Sequence, residues 1–352
     1  MVEGLRVPRD KGELALAVLK ELRLLEATYR VAQSEDYIII PLKRGLKAED
    51  RVQLMPRIGP FSEVSFQPTT RPRRRCLLEI LNELLPPHLV ALAPRSLDII
   101  GHIAIVELPP ELAGHESAVG KAILKANPQV KTVLAKVGKV EGEYRLRGYK
   151  LIAGEDRTET LHREYGCQLA VDPCKVYFSP RLAGEHWRVA SQVREGEVVV
   201  DMFAGVGAFS ILTAKTHNEI KVYAIDVNPY AISYLEKNIH LNHVEGKVIP
   251  IKGEASKVIE ETLKGVADRI IMNLPERAVE FVGAACEALK PRGGVVHFYK
   301  FAAEPNPTDK AIQDLAKAVE KAGRQILRLQ LSKVVKEIAP REWQVAVDAF
   351  II

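Results

Sequence analysis

The sequence predicts an α/β protein. Its C-terminal part is a Rossmann-like, mostly parallel sheet that ends in an antiparallel hairpin, and two small α+β domains precede it. Three observations carry this. From about Val171 onward, β-branched runs alternate with helical patterns, the rhythm of right-handed parallel crossovers. The last two apolar runs have only "KEIAPR" between them, too little for a crossover helix, so they pair antiparallel. Upstream of that rhythm, shorter helices and strands mix without regular alternation.

The 352 residues suit two or three domains. They are expected at 1–66, 74–172 and 173–352. The first reads as a helix over about 10–25 and then the strand "DYIIIPL". The stretch "GPFSEVSFQPTTRPRRR" reads as a linker or an exposed basic connector. The second domain begins near Cys76 with the helix "CLLEILNELL" and the strand "DIIGHIAIVEL". The helix "ESAVGKAILKAN" and the strand "KTVLAKVG" follow. It closes on "YRLRGYKLIAGE" and "ETLHREYGCQLAVD", two strand-like segments around a turn.

In the third domain the strand "EVVVDMF" leads to the helix "AFSILTAKT". The strand "KVYAIDV" leads to "PYAISYLEKNIHLN", a helix opened by Pro229, and "KVIPIKG" to "SKVIEETLKG". The strand "DRIIMNL" leads to "RAVEFVGAACEALK", a helix stopped by "PRGG", and "VVHFYKF" to "DKAIQDLAKAVEKAG". The strands "QILRLQLSKVV" and "EWQVAVDAFII" finish the sheet.

Composition narrows the function classes. Hydrophobic residues at 47% and charged residues at 27% are ordinary for a globular protein with a sizeable core. No apolar run approaches the roughly 18 residues of a membrane span, so no membrane partner is expected. The first residues lack an apolar signal region, and a cytoplasmic protein is expected. Cys76, Cys167, Cys174 and Cys286 have no C-x-x-C spacing and no histidines at zinc-site spacing, so free thiols and no metal are expected. His240 and His243 read as surface residues on a helix end. The net charge of +5 permits nucleic-acid binding. Two clusters sharpen that: Arg71, Arg73, Arg74 and Arg75, and then Lys136, Lys139, Arg145, Arg147 and Lys150. Such clusters track a phosphate backbone, although each alone also fits a solvated basic face.

The segment "DMFAGVGAFS" is a glycine turn between a strand and a helix. A dinucleotide turn wants a third glycine where Ser210 stands, and the lysine of a P-loop is absent. Asp201 followed by Gly205 and Gly207 fits a turn that holds S-adenosylmethionine, whose amino-acid portion needs close backbone approach and no diphosphate site. Asp226, at the end of the next strand, can accept hydrogen bonds from ribose hydroxyls. Glu254, after the third strand, could reach the adenine amino group. Each acid alone could equally be a helix cap or a solvated turn; acids at successive strand ends favour a cofactor. Asn273, in "NLP" after the fourth strand, offers an amide, a free backbone carbonyl and a rigid proline that could read the edge of a planar base. A parallel sheet finished by a hairpin is closer to the class I methyltransferase architecture than to a dinucleotide-binding one.

The segments "EGEYRLRG", "AGEDRTETLHREYG", "KVYFSPRLAGE", "VVVDMFAGVGAFS", "YAIDVNPYAI", "IIMNLPERAVEF", "GGVVHFY" and "APREW" resemble the archaeal and eukaryotic tRNA (guanine-N1)-methyltransferases that modify position 37. The resemblance implies that S-adenosylmethionine is held by Tyr177, Phe203, Ala204, Gly205, Gly207, Asp226, Val227, Glu254, Asn273 and Pro275. It implies Glu185 as the base that takes the guanine N1 proton, Arg145 as the cation at O6, and Asp201 as organiser of the motif. Tyr177 and Pro180 would shape the shared pocket, and Arg145, Pro180, Arg181, Asn273 and the arginines at 71, 73, 74 and 75 would meet the tRNA. The target base would be flipped from the anticodon loop, the first domain would touch the outer corner of the tRNA, and the enzyme would act as a monomer. Ala208 replaces a usual proline, Glu276 a usual lysine, and Gly148-Tyr149 a usual acidic-apolar pair. Competing readings are methylation of an imidazo-guanine wybutosine intermediate, aminocarboxypropyl transfer at the same position, and an RNA-binding protein that has lost catalysis. A dehydrogenase is disfavoured by Ser210 and the terminal hairpin.

Overall fold

Residues 1–69, 75–141 and 146–352 are described by a computed structural model. They form two units, Met1–Arg75 and Cys76–Ile352. In the first, an antiparallel sheet runs in the order Ala32–Gln33, Tyr37–Pro41, Val2–Pro8, Ser62–Phe66. The helices Gly12–Glu21 and Ala48–Ile58 bury Leu19, Leu54 and Ile58 with Leu5 and Ile40 of the sheet. The connector reading of "GPFSEVSFQPTTRPRRR" is therefore corrected at its start. "SEVSF" is an edge strand in register with residues 2–6, too polar and too short to announce itself by alternation.

In the second unit, Asp98–Ile100, Ile103–Val106, Thr132–Glu141 and Leu146–Gly154 make a four-stranded sheet in that order. The single strand expected over "DIIGHIAIVEL" is instead a hairpin that folds back at Gly101. Gly101 has φ +54°, and a Cβ there would sit 2.5 Å from the Leu161 carbonyl, so both conformation and crowding require glycine. The segment "ETLHREYGCQLAVD" is likewise a hairpin by itself, Thr160–Glu164 with Cys167–Val171. Helix Pro229–Asn242 holds that hairpin: buried Asn238 bonds both the N–H and the C=O of Ala170, at 2.7 and 3.1 Å.

Seven strands follow: β1 (Val198–Asp201), β2 (Lys221–Asp226), β3 (Val248–Lys252), β4 (Arg269–Met272), β5 (Gly294–Ala303), β6 (Ile326–Ala339) and β7 (Glu342–Ile351). Their order across the sheet is β3-β2-β1-β4-β5-β7-β6. The first five are parallel, and β7 pairs antiparallel with both β5 and β6. "KEIA" extends β6, leaving only a tight turn before β7. One face packs Val200, Met272 and Phe298 under Ile259, Val282 and Leu315, and the other packs Val199, Val222 and Ile271 under Ile211, Leu212 and Leu235. The chain winds outward from β1 through β3, then resumes on the other side at β4. This places a switch point, and a crevice at the carboxyl ends, beside β1.

The helices after β3 and β4 are less regular than expected, a π-helical turn ending the first and a 3-10 turn opening the second. A further helix, Ala183–Ala190, lies before β1. The four cysteines are free thiols. Among the described residues, no helix is long and apolar enough to cross a membrane, and no His, Cys, Asp or Glu group is arranged to hold a metal ion.

Candidate active site

A cavity opens at the carboxyl ends of β1 to β4. The glycine turn supplies Phe203, Ala204 and Gly205, the end of β2 supplies Asp226 and Val227, and β3 leads to Glu254. Asn273 follows β4, and Tyr177, Phe178 and His186 close the wall from the segment preceding β1.

The turn forms because its glycines take left-handed conformations, φ +55° at Gly205 and +90° at Gly207. Their surroundings differ. A Cβ on Gly207 would meet Leu235 at 2.4 Å, whereas Gly205 has nothing closer than the Tyr177 carbonyl at 3.7 Å. Gly207 thus lets helix Ala208–Thr216 pack against its neighbour, beneath the cavity wall, while Gly205 leaves open backbone toward the cavity.

Asp226 accepts from the Gly205 N–H at 2.7 Å and the Asn228 N–H at 2.9 Å, tying β2 to the turn. Burial pushes its pKa up against those bonds. Asp201 lies fully buried under the turn, outside the cavity wall, and accepts from the Ser210 hydroxyl at 2.7 Å. Burial raises it to about 7, against the bonds from Ser210 and the Phe203 N–H. The serine that argues against a dinucleotide turn is therefore the partner of Asp201. Glu254 lines the cavity, and its carboxylate caps the next helix through the Ser256 and Lys257 N–H groups.

Asn273 lines the cavity with Oδ1 taken by Gln344 Nε2 at 3.1 Å, which leaves its NH2 as the remaining donor. The free carbonyl expected beside Pro275 is corrected. The Leu274 and Pro275 carbonyls accept from the Arg277 and Phe301 N–H groups, and Pro275 is outside the wall. Pro180 and Arg181 open a 3-10 turn outside the cavity wall, where Arg181 pairs with Asp98 at 2.6 Å. Arg75 is exposed. Arg145, Arg71, Arg73 and Arg74 lie outside the described residues.

Glu185 sits in the first turn of Ala183–Ala190 and is only 4% exposed. Its Oε2 accepts from Arg188 Nε and the Tyr299 hydroxyl, both at 2.9 Å, and its Oε1 pairs with Lys333 on β6. Burial opposes its charge, but Lys333, Arg188 and Tyr299 outweigh burial and hold the carboxyl below the ordinary glutamate value. Arg188 passes on to Asp348, which lies 2.8 Å from the buried His297. Glu185 does not line the cavity; the next residue, His186, does. His186 is 3% exposed, with Nδ1 2.6 Å from Glu164 Oε1 and its ring edge-on to Phe209. Burial works against the Glu164 charge, yet the His162 and His186 rings pull that carboxyl down to about 2. Nothing in the local sequence pattern singles out Glu164, His186 or Arg188. Each acts through a partner distant along the chain or on a neighbouring turn.

Residues 160–327 match the TRM5/TYW2 methyltransferase domain, residues 77–158 the TYW2 N-terminal domain, and residues 4–50 the tRNA methyltransferase 5 N-terminal domain. The chain is 41% identical over 348 residues to tRNA (guanine(37)-N(1))-methyltransferase Trm5b of Pyrococcus abyssi, covering 99% of this chain and 98% of that one. The crystal structure of that Trm5b superposes with a TM-score of 0.71 over 100% of this chain and 99% of its own. A structure of aTrm5 in complex with tRNALeu, 34% identical, gives 0.69 over 99% of both chains. Over 250 residues, 71% of this chain and 95% of the relative, it is also 38% identical to a tRNA(Phe) (4-demethylwyosine(37)-C(7)) aminocarboxypropyltransferase of Methanocaldococcus jannaschii. With a doubly wound sheet, a glycine turn at its switch point and similarity along its whole length, the chain belongs to the TRM5/TYW2 methyltransferase family, alongside the tRNA (guanine-37-N1)-methyltransferases that its sequence resembles.

Proposed function

We propose that the protein transfers a methyl group from S-adenosylmethionine to N1 of guanosine at position 37 of tRNA. One observation carries the reading. The similarity to the guanine-37-N1 enzyme runs over 99% of the chain, whereas the aminocarboxypropyltransferase matches cover 71% and 79%. The matches at 4–50, 77–158 and 160–327 support three domains in this order, and residues 160–172, which a division at 1–66, 74–172 and 173–352 leaves in the second, match the methyltransferase domain.

The cavity fits the cofactor. Asp226, fixed by two N–H groups, suits the ribose hydroxyls. Phe203 and Phe281, edge to face at 4.9 Å, join Val227 and Ala255 in apolar walls for a flat adenine. Gly205 leaves room for the amino-acid portion. Tyr177, Ala204, Glu254 and Asn273 complete the wall, Gly207 holds the turn in place, and Pro275 backs Asn273. When bound, S-adenosylmethionine supplies an electrophilic methyl carbon on a sulfonium centre.

Guanine N1 carries a proton at neutral pH, and a base must remove it. Glu185 takes it, while Arg145 stabilises the charge moving onto O6. A carboxylate held below its ordinary pKa is ionised throughout the neutral range. It is a weak base, so it takes the proton best when N1 has become acidic in the transition state. Asn273 reads the guanine edge, Tyr177 and Pro180 shape the pocket, and Asp201 organises the turn. Arg181 and the arginines at 71, 73, 74 and 75 follow phosphates of a tRNA whose target base is flipped out of the stack. The first domain contacts the outer corner of the tRNA, and the enzyme acts as a cytoplasmic monomer. Digestion of tRNA after incubation with enzyme and cofactor, followed by mass spectrometry, tests the reading. 1-Methylguanosine is expected; an aminocarboxypropyl nucleoside would replace it with the competing activity.

A further inference from the structure

A carboxylate has about four lone-pair sites, two on each oxygen. In Glu185, Oε2 uses both of its sites, for Arg188 Nε and the Tyr299 hydroxyl at 2.9 Å each. Among the described residues, Oε1 meets Lys333 of β6. One site on Oε1 is thereby left for an incoming proton. That site stays open only while Arg188 is held back, because a guanidinium fork can grip both oxygens of a carboxylate at once.

Asp348 on β7 holds it back. Its two oxygens take the Nη1 and Nη2 groups of Arg188, with Nη2 3.3 Å from Oδ1. The guanidinium therefore turns its Nε–Nη2 edge to Glu185, and both of those nitrogens meet the same oxygen, Oε2, at 2.9 Å. Asp348 is itself fully buried and lies outside the cavity wall. Its further contacts are Gln192 Nε2 at 3.4 Å and His297 Nδ1 at 2.8 Å.

The charges around it alternate. Glu197, just before β1, takes Arg269 of β4 at 2.7 and 3.1 Å. Arg269 donates to His297 Nε2 at 2.8 Å, so that nitrogen bears the lone pair and Nδ1 bears the proton. His297 is then neutral, a state that burial favours against the pull of Asp348. Asp348 is therefore balanced by Arg188, and the row runs on from Arg188 to Glu185 and Lys333. A buried ion pair is weak evidence for stability. This one ends on the carboxylate read above as the base.

We propose that Asp348 is a positioning residue for that base: through Arg188 it keeps one site of Glu185 open and offsets a cation that would otherwise weaken it. The inference rests on the reading of Glu185 as the base and adds to it the residue that sets its strength.

Single-turnover methyl transfer to unmodified tRNA, followed against pH, tests it with Asp348→Asn, which keeps the shape and removes the charge. The groups facing Glu185 are Arg188, Tyr299 and Lys333, and of these Arg188 loses its counter-charge. Ionised Glu185 is then favoured further, so the acidic limb of the profile should move to lower pH. The weaker base should slow transfer at neutral pH by about 3–10-fold, with S-adenosylmethionine affinity by calorimetry within about twofold of wild type. In an Arg188→Gln background, Asp348→Asn should leave the limb where Arg188→Gln alone puts it.

A rate loss with an unmoved limb, or a limb moved to higher pH, would make Asp348 a structural residue and overturn the proposal. A shift that persists without Arg188 would overturn the route through it. Should Asp348→Asn fail to fold, nitrogen-15 spectra of the histidines in wild-type protein decide. Neutral His297 with the proton on Nδ1 is expected across the acidic limb. An imidazolium there would mean that Asp348 is balanced without Arg188, and would overturn the proposal. A near-normal rate in Glu185→Gln would remove the base reading and this inference with it. The expected loss in Glu185→Gln beside an unmoved limb in Asp348→Asn would remove this inference alone.

Discussion

The Tyr299 hydroxyl on β5 donates to Glu185 Oε2 at 2.9 Å. A central strand of the sheet thus fixes a carboxylate carried by a helix far earlier in the chain. Arg188 and Lys333 complete the cage. Tyr299→Phe removes a donor to the charged form, so Glu185 should bind its proton at higher pH. The acidic limb of the single-turnover rate profile should move to higher pH, with the cofactor affinity unchanged. An unmoved limb would separate Tyr299 from the base.

Glu185→Gln keeps the size of the side chain and removes its basicity. A positioned general base contributes about 10²–10⁴-fold. The single-turnover rate should fall by that order while calorimetry finds S-adenosylmethionine binding intact. A near-normal rate would send the search for the base elsewhere.

Arg145→Ala should slow methyl transfer without weakening cofactor binding, because its proposed partner is O6 of the base. Loss of cofactor affinity with a normal transfer step would contradict that role.

The two turn glycines should respond differently to alanine. At Gly207 the added Cβ meets Leu235 at 2.4 Å on backbone with φ +90°, and a stability loss of about 2–4 kcal/mol is expected from strain and overpacking together. At Gly205 the space is open and only the left-handed conformation is penalised, about 1–2 kcal/mol. Its larger effect should be on cofactor affinity. Urea unfolding alongside calorimetry separates the two.

Glu164 should make stability fall with acid. Its pKa is lowered from 4.5 to about 2 in the folded protein. The stability it adds is therefore fully present above pH 4.5 and lost as pH falls through about 2. Glu164→Gln should cost roughly 3 kcal/mol at pH 7, and the gap from wild type should close in urea titrations at progressively lower pH. A gap that stays constant would mean that the charge of Glu164 contributes nothing.

The doubly wound part of the fold was legible because each element carries its own period and punctuation. Helix Pro229–Asn242 opens on a capping Asn228 and Pro229, and Ala208–Thr216 starts at the glycine turn. The terminal hairpin followed from the lack of room for a crossover. Helix Ala183–Ala190 stayed hidden because it buries Glu185 and His186, so the face it turns inward does not look apolar. The hairpin at Gly101 stayed hidden because the apolar residues of both its arms read as one run. Parallel strands gather their carboxyl ends, which is why Gly205, Asp226, Glu254 and Asn273 could be placed at one cavity from spacing alone. Spacing could not say that the Glu254 carboxylate caps a helix, nor that Asp201 pairs with Ser210. The Arg188–Asp348 pair joins residues 160 positions apart and leaves no trace in local pattern.

The most direct test of the central claim is transfer of a labelled methyl group from S-adenosylmethionine to unmodified tRNA transcripts with guanosine or adenosine at position 37, mapped by reverse transcription. Labelling with a stop at position 37, only for the guanosine transcript, is the predicted result. Equal labelling of the adenosine transcript, or no labelling by protein that binds the cofactor, would contradict it.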